Sequence, residues 1–174
     1  MKGQVRMQRP SGSRYALPAV LLICVATCAG AGDFGINVHG FTYHPDREDS
    51  LGNKLQGINP GIGWNLVLRE TRRTILANEG GIYRNSSGKA AEYVSLGFRV
   101  KLFRGLSVGP AFGVFHSSTY NLGEPVFAVL PVISYRYGRV ALSAVYFPRY
   151  EDINRNAALT FYGTFYLSRK GIEQ

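Results

Sequence analysis

EPVFAVLPVISYRYGRVALSAVYFP, Glu124–Pro148, reads as two strands joined by a tight turn at Gly138, with a proline inside each strand, Pro131 and Pro148. Proline has no N–H to give to a sheet ladder, so both positions predict a break in the hydrogen bonding. With the turn centred on Gly138, position 131 faces roughly position 145, which offsets the two prolines by about three residues, or ~10 Å along the strands. In a barrel wall inside a membrane, a gap of that size is a lateral gate, set in the half of the wall away from the turn.

The rest of the chain decides whether there is a barrel. At 174 residues and 45% hydrophobic content the chain fits one domain, and its formal net charge of +9 invites a nucleic-acid partner. The first residues correct that impression. Lys2, Arg6, Arg9 and Arg14 precede the apolar run ALPAVLLICVAT at 16–27 and the small residues Ala29, Gly30 and Ala31, the pattern of a cleaved signal peptide over residues 1–31. Without those four basic residues the excess falls to about +5, scattered along the chain, which argues for no nucleic acid partner. Cys24 and Cys28 lie in or beside the leader, so the mature domain, 32–174, is expected to carry no disulfide; the VATC box leaves lipidation of Cys28 as the alternative. No later apolar run approaches the ~18 to 20 residues of a spanning helix, so any membrane crossing falls to strands.

Eight segments suit that task, at 34–45, 59–70, 74–85, 89–102, 105–116, 125–137, 139–149 and 156–167. Transmembrane strands need about 9 to 11 residues and bacterial barrels use an even number, with about eight as the minimum. Short connections at Thr71–Arg73, Phe103–Gly105 and Tyr137–Arg139 alternate with connections that are longer on the whole, notably Asp46–Ile58, Ser117–Glu124 and Tyr150–Arg155, the pattern of periplasmic turns and outer loops. The predicted fold is all-β: an eight-stranded antiparallel transmembrane β-barrel of the outer membrane.

Alternation assigns faces. Val94, Leu96, Phe98, Val100 and Leu102 face lipid, while Tyr93, Ser95, Gly97, Arg99 and Lys101 face inward. On the fifth strand Ser107, Gly109, Ala111 and Gly113 face inward, and Gly61, Gly63 and Asn65 do so on the second. Small barrels are filled by their own side chains, so these small residues predict a narrow well. Arg69, Arg99 and Lys101 make its polar floor, balanced by Glu79, and the sixth strand, apolar on both faces, suits it to an acyl chain. His39, on the inward face of the first strand, is expected to meet Asn85 and Ser86 at the outer rim. A hydroxyl, an imidazole and a side chain that orients the ring are the parts of an acyl-transfer site.

The hairpin VLPVISYRYGRVALSAVYFP and the TFYL near the end of the last strand resemble the outer-membrane lipid A palmitoyltransferases. That resemblance implies a lateral gate at Pro131 and Pro148, essential roles for His39 and Ser86, and a counterpart for Pro60 after the first outer loop. It also makes Gly97 the residue that measures chain length, in an acyl-chain pocket that Gly109, Ala111 and Gly113 extend. The implied reaction moves a palmitoyl chain from phospholipid to lipid A. Two departures stand out: Asn85 replaces the family's aspartate, with Asp46, Glu48 or Asp49 as candidate substitutes, and the family's opening amphipathic helix has no counterpart. No cofactor or metal is called for, and the expected form is a monomer whose partners are membrane phospholipid and lipid A. The rivals are a lipid A deacylase, with His116 and Ser117 as its pair, and a non-catalytic barrel that binds apolar molecules or supports the envelope.

Overall fold

The computed structural model describes residues 32–46, 48, 52, 54–150 and 156–167. The predicted signal peptide, Cys28, Asp49 and the segment 168–174 lie outside the described residues. Eight antiparallel strands close on themselves in sequence order: β1 (Phe34–Tyr43), β2 (Ile58–Glu70), β3 (Thr74–Arg84), β4 (Ala90–Lys101), β5 (Leu106–Ser117), β6 (Val126–Tyr137), β7 (Val140–Phe147) and β8 (Ala158–Tyr166). β8 pairs with β1, so the sheet has no edge.

The outer surface is apolar. Leu96, Phe98 and Val100 on β4, Phe112 on β5 and Val129 and Ile133 on β6 are all exposed, while their inward neighbours Ser95, Arg99, Ser134 and Leu130 are buried. So large an apolar surface on a closed barrel belongs in lipid, and an antiparallel barrel of eight strands with this belt is the architecture of outer-membrane proteins. Inside, many polar groups bond to one another, though both amide atoms of Asn65, His39 Nδ1, Asn59 Oδ1 and Arg99 Nε are buried without a hydrogen-bond partner. Arg99 and Glu79 form a buried ion pair at 3.1 Å, the Tyr162 hydroxyl donates to Glu79 at 2.7 Å, and the Thr164 hydroxyl donates to Asn37 at 2.7 Å. The expected floor is narrower than its sequence implies. β2 slips register between Val67 and Arg69, which leaves Arg69 exposed, and Lys101 pairs with Glu70 rather than with Glu79.

Three irregularities shape the wall. In β1, pairing passes from His39 to Phe41 on both sides and skips Gly40. The inward set Gly35, Asn37 and His39 therefore continues as Thr42 and His44, with Phe41 and Tyr43 outward. The β6–β7 ladder ends at Val132↔Val145, so Pro131 and the outer end of β6 have no partner on β7. Finally, Pro131 faces Pro110 across β5–β6. Two prolines oppose each other best where neither must donate across that ladder, which turns the missing donor of Pro131 toward β7 and that of Pro110 toward β4. In keeping with this, no partners pair across β4–β5 between Gly97↔Ala111 and Val100↔Val108.

Candidate functional site

The bulge at Gly40 decides which histidine meets which serine. His39 lies inside the barrel, 7% exposed, with Tyr83 stacked on its ring, Tyr162 beside it, and its Nε2 3.0 Å from the Tyr93 hydroxyl. It makes no hydrogen bond to Ser86. The serine instead meets His44, one residue beyond β1: Ser86 Oγ and His44 Nε2 are 2.6 Å apart. His44 Nδ1 is 3.3 Å from the carbonyl oxygen of Ala157. A carbonyl only accepts, so Nδ1 carries the proton and the bare Nε2 accepts from the Ser86 hydroxyl. This is the tautomer a general base needs in order to take a proton from serine, with a backbone carbonyl orienting the ring. Burial holds the His44 imidazole below its ordinary value of 6.5, opposed in part by the hydrogen bond to Ala157. The base is therefore neutral at physiological pH.

Asn85 does not join this pair. Its Nδ2 donates to Ser117 Oγ at 2.9 Å and to Thr119 Oγ1 at 2.7 Å, and its Oδ1 accepts from the backbone N–H groups of Ser87 and Lys89. The bonds to Ser87 and Lys89 build the β3–β4 turn that presents Ser86 and those to Ser117 and Thr119 tie it to the end of β5, so Asn85 shapes the turn and does not orient the histidine. The turn is fixed from the other side as well, where the Gln56 N–H donates to the Ser86 carbonyl at 2.9 Å. Asn59, on the inward face of β2, donates from Nδ2 to the Arg84 carbonyl at 2.9 Å and to Ser86 Oγ at 3.3 Å. Sequence reasoning missed both His44 and Asn59. The signal for His44 was present: outward apolar residues fall at Phe34, Ile36 and Val38, then at Phe41 and Tyr43, a change of phase at a glycine.

His116 and Ser117 are not a pair. Adjacent strand residues point to opposite faces, and Ser117 is buried with its hydroxyl donating to the Ala90 carbonyl at 2.8 Å. Among the described residues no group of three or more His, Cys, Asp or Glu side chains could hold a metal ion.

Below the rim lies a cavity lined on one side by Phe115, Leu130, Val132, Val145 and Phe147, and on the other by His39, Tyr83, Tyr93 and Tyr162. Its surface is mostly carbon, and the tyrosine hydroxyls of that second side are engaged elsewhere, Tyr93 with His39 Nε2, Tyr162 with Glu79 and Tyr83 with Tyr120. Val132 and Val145, where the β6–β7 ladder stops, belong to its apolar side. Gly97 and Ala111 line it. A Cβ on Gly97 would meet the Ala77 carbonyl oxygen at 3.8 Å and Glu79 Oε1 at 3.9 Å, ordinary van der Waals contact, so a side chain fits there without a clash. Gly109 and Gly113 serve a different end from the predicted pocket. A Cβ on Gly109 would collide with the Phe98 carbonyl oxygen, and one on Gly113 would lie 2.8 Å from Ser95 Cβ, so these glycines let β5 approach β4.

The fold and site together define an eight-stranded transmembrane barrel with a serine–histidine pair at its rim and an apolar well beneath. No protein-family model matches the chain, and no curated protein matches it. Among solved structures it is similar to the outer-membrane protein Ail of Yersinia pestis in a phospholipid bilayer nanodisc: 13% identity, 78% of this chain and 99% of that one covered, TM-score 0.48. A crystal structure of Ail, the attachment invasion locus protein of Yersinia pestis, gives 13% identity, coverage of 79% and 97%, and a TM-score of 0.39. No function passes across a likeness of that size.

Proposed function

We propose that this protein is an outer-membrane acyltransferase that moves a palmitoyl chain from a phospholipid to lipid A, with Ser86 and His44 as its reacting pair. The observation that carries the reading is the 2.6 Å contact between Ser86 Oγ and a His44 ring whose proton sits on the far nitrogen. The apolar well beside the end of β6 that has no partner on β7 supports a lipid donor. A chain entering there from the outer leaflet never crosses water.

His44 Nε2 takes the Ser86 proton as Oγ bonds to the donor's ester carbon. Collapse of the tetrahedral intermediate breaks the ester C–O bond, and the lysophospholipid oxygen leaves with the proton from His44. A lipid A hydroxyl then attacks the acyl-serine, with His44 again as base, and restores Ser86.

Mass spectrometry of lipid A from cells with and without the protein tests the proposal. Lipid A heavier by one palmitoyl group with the wild type, and unchanged with Ser86→Ala or His44→Ala, is the expected result. Lipid A that has lost a chain would make the pair a deacylase, and unchanged lipid A under every growth condition would overturn the enzymatic reading.

A further inference from the structure

We infer that Asn59 is a catalytic residue of this centre, the amide that stabilises the oxyanion formed when Ser86 attacks an ester; the inference rests on the acyl-transfer reading above. Asn59 is 1% exposed. Its amide nitrogen has two protons and two acceptors within reach, the Arg84 carbonyl at 2.9 Å and Ser86 Oγ at 3.3 Å. These fix the amide's orientation, since turning it over would set Oδ1 against the Arg84 carbonyl oxygen with no proton between them. One N–H therefore holds the side chain to the β3 backbone while the other is aimed at the serine. The Oδ1 atom is buried without a hydrogen-bond partner, an arrangement costly to keep for packing alone.

The chemistry needs a donor at this place. As Ser86 Oγ bonds to the ester carbon, the carbonyl π pair moves onto oxygen and the serine proton passes to His44 Nε2. The new oxyanion lies one bond from the carbon that Oγ has just joined, within reach of the N–H that had faced Oγ. His44 comes from the segment after β1 and Asn59 from β2, so base and donor approach the serine on separate supports. A donor held in advance loses nothing to reorganisation when charge develops, and deleting one such donor typically lowers kcat by about 10²- to 10³-fold.

Positioning of Ser86 is the competing role, and sulfur separates the two. The purified full chain in detergent is assayed on p-nitrophenyl palmitate and on its thiono analogue, in which C=S replaces C=O and accepts hydrogen bonds poorly. The wild type is expected to favour the oxygen ester by about 100-fold, and Asn59→Ala to lose about that factor in kcat on the oxygen ester, with KM within a few-fold and little change on the thiono ester. The preference then collapses. Equal losses on both esters leave Asn59 a positioning residue and overturn the proposal. Equal turnover of the two esters by the wild type overturns it without any variant. A wild type inactive on both esters, as Ser86→Ala must be, removes the acyl-transfer reading along with it.

Discussion

Ser86 and His44 stand 42 residues apart in sequence and 2.6 Å apart in space, and they meet because β1 changes phase at Gly40. Without that bulge Tyr43 would point into the barrel and His44 toward lipid. The first prediction follows directly. His44→Ala lowers acyl transfer by about 10²- to 10⁴-fold, the usual worth of a general base. His39→Phe keeps transfer within about tenfold and instead lowers the unfolding temperature, because it removes the hydrogen bond to Tyr93. Turnover and thermal unfolding of the two variants, measured side by side, separate the histidines.

The pH dependence follows from the burial of His44. Transfer needs the neutral ring, and desolvation lowers the folded value below 6.5. The rate holds its plateau as pH falls through 6.5 and drops only at the lower folded value. Stability behaves differently: below pH 6.5 the unfolded chain takes up a proton that the folded chain does not, so stability declines from there until the folded value is passed. A rate profile that breaks at or above 6.5 contradicts the assignment of His44 as base.

The open end of the β6–β7 ladder predicts a trade between entry and stability. Pro131→Ala with Pro148→Ala restores two donors beyond Val132↔Val145 and lets the ladder extend. Transfer from phospholipid slows by about tenfold while the unfolding temperature rises. The detergent-dispersed p-nitrophenyl ester is the control, and an equal loss on that substrate would mean damage to the reacting pair instead of the entry route.

Two glycines that look alike in sequence separate on substitution. Gly97→Met starts from a Cβ that fits without a clash, adds its side chain to the cavity wall and shifts preference toward shorter acyl chains, read from the lengths transferred out of a mixed phospholipid pool. Gly109→Ala places its methyl against the Phe98 carbonyl and reduces the yield of folded barrel without altering chain length.

Most of the barrel was legible because it rests on local period. Alternation of lipid-facing and inward residues located all eight strands within about two residues of their observed ends. The open β6–β7 ladder was legible for the same kind of reason, since a missing N–H at Pro131 is a property of one residue. The site was harder to read. Which side chain meets Ser86 depends on a bulge that shifts the face of every residue after Gly40, and on the contact between the segment after β1 and the β3–β4 turn. Asn85 looked like the orienting member of a trio because it adjoins Ser86, but two of its four hydrogen bonds close the turn and two tie it to Ser117 and Thr119. The small residues of β5 looked like a hole, whereas Gly109 is filled by the backbone of the neighbouring strand.

Trapping the acyl-enzyme tests the central claim most directly. The purified protein is mixed with a dipalmitoyl phospholipid, quenched in acid within the first turnovers, and weighed by intact mass with peptide mapping. The account predicts a protein heavier by one palmitoyl group carried on Ser86, absent in Ser86→Ala and formed at least about 100-fold more slowly in His44→Ala. An unmodified Ser86 in a preparation that transfers palmitate to lipid A, or labelling at the same rate in His44→Ala, would contradict it.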